Sequence, residues 1–369
     1  MGERASVRSK TTSAIHLSTL PCLILLTVNL RTNRAARGTS NGRPRAEERC
    51  RREPGLLKAD AADDFLRTAS AVAAQHLRKG QRSSRVAALA HDLLLLVCRV
   101  RVALLWDYTD VEQERTDGFA PAARGGGLRV SHVQELLDQL STAAPGARAL
   151  GLILAGPSLF IVHRTALEEK LRTESANGGA PLEQAIVVAV DASLGEPRTC
   201  TASERSALTR SLRPLGDAIL AAMAPCDDQS SHSSPVALEC AGPLLVCVHG
   251  WLLEYPVVYC FAAALASGPH ANDEAVTSCL GGETLRVHRL SARVRMPGEV
   301  TPHQICSFSV PMRLLDLAQE ATDADEASRI EAGIAGWEAR MRLRLQEAAE
   351  WWTDVEVALE DVAHDCVAL

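Results

Sequence analysis

The sequence predicts an α/β fold, a single domain with a mixed, largely buried sheet and helices on both faces. Two observations predict it. Runs of five or six apolar residues, such as residues 102–106 and 185–190, are too continuous for strands with one solvent face, which alternate apolar and polar residues. Between these runs lie amphipathic stretches whose apolar residues recur every three or four positions, as in a helix. Strands that alternate with helices are typical of α/β domains.

The domain is expected to run from about residue 56 to the C-terminus, behind a basic extension. Residues 1–45 contain eight Lys and Arg but one acid, and no helical pattern, so we expect residues 1–55 to be disordered and dispensable. The apolar run 20–28 is about half the length of a membrane span. We therefore expect no membrane span. The alternative for this segment is a mitochondrial or secretory targeting sequence.

Charge and cysteine usage narrow the class of partner and the compartment. The 369-residue chain has a net charge of −6, and the basic extension leaves the domain strongly acidic. We expect no nucleic-acid partner, because such binding needs a basic face, while a protein partner, as yet unknown, is possible. The eleven cysteines include no C-x-x-C pair, and several lie in apolar runs. This pattern favours free thiols in a reducing compartment, and we expect a cytoplasmic protein.

The first half of the domain predicts helices, then a strand, then a hairpin. Helices are expected at residues 56–77 and 84–97, followed by a strand at 102–106. Two apolar segments flank Ala155-Gly156-Pro157 and predict a hairpin of strands 149–154 and 158–163. Three later helices are expected to start at capping boxes. The pairs are Ser131 with Gln134, Thr165 with Glu168, and Thr201 with Glu204.

The second half is richer in predicted strands. These are residues 244–248, 256–262, 284–290 and 305–309, with a weak edge strand at 355–359. We expect the runs 102–106, 185–190 and 244–248 to form the centre of one sheet. The longest helix is predicted at 326–352. Trp351 and Trp352 cannot both face inward on that helix, so one of them could mark a partner surface.

Three polar residues follow predicted strands and are the candidate catalytic residues. Asp107 follows the strand 102–106, Asp191 follows 185–190, and His249 follows 244–248. Ligands of α/β sheets bind outside the carboxyl ends of strands, where two acids and a histidine could act as acid and base. Each residue also has a structural alternative: an Asp after a strand often caps a turn, and a buried His is often simply hydrogen-bonded.

Several common catalytic and ligand-binding motifs are missing from the sequence. It contains no G-x-x-x-x-G-K-[ST], G-x-S-x-G, H-E-x-x-H or G-x-G-x-x-G, and no His and Cys at metal-ligand spacing. We therefore expect no metal site and can name no cofactor. Cys279-Leu280-Gly281-Gly282 could place a reactive thiol beside converging N–H groups, but it more often marks a turn between strands.

Several segments, in this order, resemble one uncharacterised protein family. They are Leu104-Leu105-Trp106-Asp107-Tyr108, residues 190–194, the stretch 249–259 with Tyr255-Pro256-Val257-Val258-Tyr259, Cys279-Leu280, residues 285–287 and Ser307-Phe308-Ser309-Val310-Pro311. They are similar to the animal family typified by the product of open reading frame 74 on human chromosome 1, over about residues 56–369. Glu254 stands where the family's Leu-Leu-Gly-Tyr-Pro pattern has Gly. The resemblance implies no activity.

Three functions are therefore compatible with the sequence. The first is a non-catalytic interaction protein, since no catalytic motif is present and a fold alone implies no activity. The second is a hydrolase or metal-assisted enzyme that uses Asp107, Asp191 and His249. The third is a small-ligand-binding protein that uses the same cleft. Whether these three side chains converge on one pocket separates the first function from the other two.

Overall fold

A computed structural model describes eleven segments of the chain. They are residues 59–77, 83–108, 111–112, 128–176, 181–223, 234–240, 242–262, 277–294, 302–316, 324–348 and 351–363. The N-terminal extension predicted to be disordered lies outside the described residues.

Helices and strands alternate along most of the described chain. The helices are α1 (Ala59–His76), α2 (Ser83–Val97), α3 (Val130–Ala143), α4 (Arg164–Ala176), α5 (Ala202–Met223), α6 (Pro243–Leu252), α7 (Met312–Asp316) and α8 (Ala324–Glu347). The strands are β1 (Ala103–Leu105), β2 (Val111–Glu112), β3 (Leu128–Arg129), β4 (Leu150–Ala155), β5 (Ser158–His163), β6 (Ile186–Ala189), β7 (Arg198–Thr199), β8 (Val236–Leu238), β9 (Val257–Cys260), β10 (Thr284–Val294), β11 (His303–Pro311) and β12 (Trp352–Ala363).

These strands form mixed and antiparallel sheets. One has the order β1-β5-β4-β8, with β4 and β8 parallel and the other pairs antiparallel. A second has the order β7-β6-β9, in which β6 and β9 are parallel. The third, β11-β10-β12, is antiparallel, and β2 pairs with β3. The predicted hairpin is confirmed as β4–β5, whose turn contains Gly156 with a φ of +52°.

Alternate residues of the strands enter two hydrophobic cores. In β9, Val257 and Tyr259 face the first core, which also contains side chains of α1, α2, α3, α8 and the β10–β11 pair. Val258 and Cys260 face the second core, where α4, α5 and α6 pack. Strand β9 is therefore covered on both faces, as its continuous apolar sequence predicts. The predicted class, a single α/β domain with helices on both faces, is confirmed.

The predicted strand 244–248 is wrong, because these residues belong to helix α6. Pro243 opens the helix with its fixed φ, and its apolar side chains are buried in most directions. A helix that is apolar on all sides shows no 3.6-residue period, so its sequence is indistinguishable from a buried strand. Gly250 lets α6 lie directly against β9, since a Cβ there would fall 2.8 Å from a Val258 methyl carbon.

The expected single sheet is also divided. Residues 103–105 and 186–189, predicted to be neighbours at its centre, belong to separate hydrogen-bonded sheets. Apolar runs show that a strand is covered on both faces, but they contain no information about which strand lies beside it. Strand pairing had to come from the structure.

Helix starts are only partly as predicted. The capping box of α5 is confirmed: Glu204 N–H donates to Thr201 Oγ1, and the Glu204 carboxylate accepts from Thr201 N–H at 2.8 Å. Thr165 does not cap α4, which begins one residue earlier, at Arg164. There His163 Nδ1 accepts the N–H of Ala166 at 3.2 Å and performs the capping role.

The C-terminal helix is shorter, and the last strand longer, than predicted. Helix α8 ends at Glu347, and β12 pairs with β10 at the edge of its sheet. Trp351 and Trp352 are both buried, at 1% and 2% exposure. The prediction that one of them is exposed is wrong because neither residue belongs to a helix. Trp351 lies in the turn after α8 and Trp352 begins β12, so the two side chains can both point into the core.

Candidate functional site

A cleft of about 500 Å³ opens between α4, α8 and the turn that joins α6 to β9. Residues 182–185, which precede β6, also line it, as do Arg99 and Val102 between α2 and β1. The volume lies within the range of about 300–1,000 Å³ typical of small-molecule sites. Segments that are far apart in the sequence meet here. Helices α4 and α6 pack on one face of the strands and α8 on the other, and all three contribute to the lining.

One wall of the cleft is a hydrogen-bonded group on α4 and α6. Lys170 and Glu174 lie one turn apart on α4, and Lys170 Nζ is 2.6 Å from Glu174 Oε1. Trp251 Nε1 donates to the other oxygen of Glu174 at 3.1 Å. Lys170 Nζ also lies 4.9 Å from the centre of the Trp251 ring, within cation–π range. This wall offers an aromatic edge and charges that already have partners.

The floor is the tight turn after α6. Tyr255 N–H donates to Gly250 O and Glu254 N–H to Trp251 O, which reverses the chain before Pro256 leads into β9. Glu254 has a φ of +56°, in the left-handed region that favours glycine. The position at which Glu254 departs from the resembled Leu-Leu-Gly-Tyr-Pro pattern is thus one where glycine is the unstrained residue.

The opposite wall is provided by α8, whose Arg344 lines the cleft, and both Arg344 and Trp337 of this helix contact Glu254. Both guanidinium NH groups of Arg344 donate to the Glu254 carboxylate, at 2.6 and 3.1 Å, and Trp337 Nε1 donates to the Glu254 carbonyl at 2.9 Å. Burial opposes the charge on Arg344, but the hydrogen bonds and charge of Glu254 outweigh it and raise the pKa of Arg344. The bidentate pair fixes the turn against α8.

Arg340 lies one turn before Arg344 and also lines the cleft. Among the described residues, no carboxylate forms an ion pair or hydrogen bond with Arg340. Arg340 is an exposed residue, but its guanidinium is partly buried. This burial is the largest cause that lowers the pKa of Arg340, and the positive charge of Arg344 is the next. Arg340 is a cation whose surroundings disfavour its charge.

The three candidate catalytic residues lie outside this lining. Asp107 is exposed just beyond β1, and partial burial of its carboxyl, followed by the charge of Asp92, raises its pKa. Asp191 is buried after β6, and its Oδ2 accepts the N–H of Ala262 at 2.8 Å. The Asp191 contact ties the end of β6 to the end of β9.

His249 lies in the last turn of α6 instead of at a strand end. Its Nε2 is 2.9 Å from Ser158 Oγ, at the start of β5, and its ring packs edge-on against Phe160. Burial lowers the pKa of His249 to about 4, so the imidazole is neutral at pH 7. The contacts described for Asp107, Asp191 and His249 share no residue, and the structure brings His249 together with Ser158 instead.

A match to a known family comes from the sequence as a whole. The profile of a Domain of unknown function (DUF4504) matches residues 71–369. The chain belongs to the DUF4504 family. The matched region contains the whole lining of the cleft, from Arg99 to Glu347. Separate searches of curated proteins and of solved structures return no match.

The DUF4504 region also contains a buried polar group that sequence reasoning missed. Asp92 of α2 accepts a hydrogen bond from the Tyr108 hydroxyl and lies 2.9 Å from His303 Nε2 of β11. Burial opposes ionisation of Asp92, but His303, Arg101 and these hydrogen bonds outweigh it and lower its pKa. This group joins α2 to β11, and we assign it a structural role.

Other ligand types have little support in the described part of the DUF4504 region. There, no three His, Cys, Asp or Glu side chains are arranged to hold a metal ion. Burial raises the pKa of the Cys279 thiol, which disfavours a reactive thiolate, and Glu283 N–H donates to Leu280 O in a turn. Within those same segments, no helix is long and apolar enough to cross a membrane.

Sequence reasoning missed the cleft because its lining comes from α4, α6, α8 and three connecting segments. One signal was available. Glu254 stood out as a departure from the resembled pattern, and it proves to be the residue that links the floor of the cleft to Arg344.

Proposed function

We propose that this DUF4504 protein binds a small polar molecule in the cleft between α4, α8 and the α6–β9 turn. The observation that carries the proposal is the cleft itself, whose volume of about 500 Å³ suits a small ligand. Its walls combine an indole, aliphatic side chains and charged groups held in place by ion pairs. Such a concave surface with a few oriented polar groups favours small-molecule binding over a broad protein interface.

Thermal-shift screening with a blocked cleft tests this proposal. Thr173 is an exposed residue of α4 that lines the cleft, and Thr173→Phe would place a bulky ring in it. Thr142→Phe is the matched control, because Thr142 is also exposed near a helix end and, like Thr173, bonds the carbonyl four residues before it. A ligand at 100 times its Kd stabilises a protein by about 2.7 kcal/mol, which raises Tm measurably.

The expected result is that at least one polar metabolite raises the Tm of the wild type and of Thr142→Phe, but not of Thr173→Phe. Equal shifts for both variants would place binding elsewhere. If no small molecule raises the Tm of the wild type, the proposal fails and a non-catalytic interaction protein becomes the better hypothesis.

A second candidate function is hydrolysis at His249, which the contact with Ser158 favours. A neutral imidazole 2.9 Å from a serine hydroxyl can accept its proton and activate it as a nucleophile. Asp107 and Asp191 stay in this proposal as acids near strand ends, each with its own local partners. A fluorophosphonate probe should label Ser158 in the wild type but not in His249→Asn, and an unlabelled wild type would exclude this function.

We also propose a closer relationship and a compartment. The ordered segments from Leu104 to Pro311 support membership in the group typified by the product of open reading frame 74 on human chromosome 1. A cytoplasmic location is supported by the seven described cysteines, all of them free thiols. Fluorescence microscopy of the tagged full chain tests the location, and a mitochondrial or secretory pattern would contradict it.

A further inference from the structure

The cations of the cleft differ in whether they have a partner. Lys170 is paired with Glu174 at 2.6 Å, and Arg344 with Glu254 at the same distance. Arg99 lies 3.6 Å from the Glu169 carboxylate. Among the described residues that line the cleft, Arg340 is thus the Lys or Arg without an ion-pair partner.

We propose that the ligand of the cleft carries a carboxylate or phosphate group and that Arg340 binds this group. The inference rests on the proposed function and names the chemical class of its ligand. Arg340 and Arg344 lie four residues apart on α8, on the same face of the helix. An anion beside Arg340 would therefore also feel the positive charge of Arg344.

The geometry favours an anion over a neutral group at this position. Both oxygens of Glu254 already bond Arg344, so this carboxylate is held away from a second bidentate contact with Arg340. A guanidinium presents two parallel N–H groups that match the two oxygens of a carboxylate or phosphate. The Glu254 carboxylate offsets part of the repulsion between the two arginines, and a ligand anion beside Arg340 would offset more of it.

Glu254 places a negative charge at the edge of the proposed site. A ligand anion at Arg340 would be repelled by the Glu254 carboxylate while it is attracted by the two arginines. Removing the charge of Glu254 while keeping its shape should therefore tighten anion binding.

The experiment is a titration of the full chain with inorganic phosphate and, separately, with acetate, with Tm as the readout. Ionic strength is held constant with NaCl, and the two arms distinguish phosphate from carboxylate. Arg340→Gln is compared with Arg329→Gln, an exposed arginine on the same helix outside the cleft. We expect Arg340→Gln to weaken binding of at least one anion about tenfold, the effect of one charged hydrogen-bonded contact, and Arg329→Gln to leave it unchanged.

Glu254→Gln is the second variant, and it should tighten the same anion severalfold. Equal affinity of Arg340→Gln and wild type, or weaker binding in Glu254→Gln, would overturn the inference. A different outcome is that neither anion binds, while neutral metabolites raise the Tm of the wild type but not of Thr173→Phe. In that case the inference fails and the proposed function stands. If no compound of either kind binds, both fail.

Discussion

Glu254 combines an unfavourable backbone with a favourable side-chain contact. Its φ of +56° costs a residue with a Cβ about 1 kcal/mol relative to glycine, whereas its carboxylate holds Arg344. Glu254→Gly and Glu254→Ala both lose the ion pair, but only the glycine relieves the backbone. Urea denaturation should therefore find the glycine variant more stable than the alanine variant by about 1 kcal/mol. An alanine variant of equal or greater stability would contradict the assignment of strain.

His163 caps α4 only in its neutral form. Burial, followed by the charge of Arg99, lowers its pKa from 6.5 to about 4. At a pH between these two values, His163 is protonated in the unfolded chain but neutral in the folded chain. The free energy of unfolding therefore decreases as pH falls from 6.5 towards 4. His163→Asn keeps a capping acceptor without this titration.

Two urea titrations, at pH 7 and pH 5, test the role of His163. At pH 7, His163→Ala should lose about 1 kcal/mol relative to His163→Asn, the usual value of a cap. Between pH 7 and pH 5 the wild type should lose about 2 kcal/mol more than His163→Asn. Parallel losses in the two proteins would show that His163 is not the group that titrates.

At the scale of elements, the contact between α6 and β9 depends on one missing side chain. A Cβ at Gly250 would lie 2.8 and 2.9 Å from the two Val258 methyl groups, and Val258 is buried and stiff. Gly250→Ala should cost about 1–3 kcal/mol through overpacking. Gly336→Ala, in α8, is the matched control, since its nearest neighbour would be 3.7 Å away. The control should gain up to about 1 kcal/mol of helix propensity, and a similar gain for Gly250→Ala would refute the close contact.

The elements also show which parts of the fold could be predicted from the sequence. Strands β4, β5 and β9 were predictable because turn residues bound their apolar runs. Helix α5 was predictable from Thr201 and Glu204, whose capping contacts involve neighbouring residues. Helix α6 was not, since a helix that is apolar on nearly all sides has no polar face to reveal its period. The pairing of strands was not, because it depends on contacts between distant segments.

For the whole molecule, burial of histidines predicts sensitivity to acid. His91, His163, His249 and His288 all have a pKa lowered to about 4, with burial as the largest cause. Each shift contributes up to about 3 kcal/mol to the free energy of unfolding. This contribution is present above pH 6.5 and is lost by pH 4. The free energy of unfolding of a domain is about 5–15 kcal/mol in total, so the protein should unfold in acid with a midpoint above pH 4. Circular dichroism that shows a native signal at pH 4 would contradict this expectation.

The candidate site was beyond prediction for a reason that concerns the whole molecule. Acids at strand ends can be located in a sequence, and Asp107 and Asp191 indeed follow β1 and β6. Convergence of side chains depends on which strands are neighbours, and these two strands belong to different sheets. The cleft arises where α4, α8 and the α6–β9 turn meet, and such a meeting point has no local signature in the sequence.

Native mass spectrometry can show whether this cleft holds one small polar molecule. The full chain would be incubated with a pool of polar metabolites, desalted and sprayed under non-denaturing conditions. We expect a single added mass of a small molecule on the wild type and on Thr142→Phe, and none on Thr173→Phe. The same adduct on Thr173→Phe, or no adduct on any of the three proteins, would contradict the proposal.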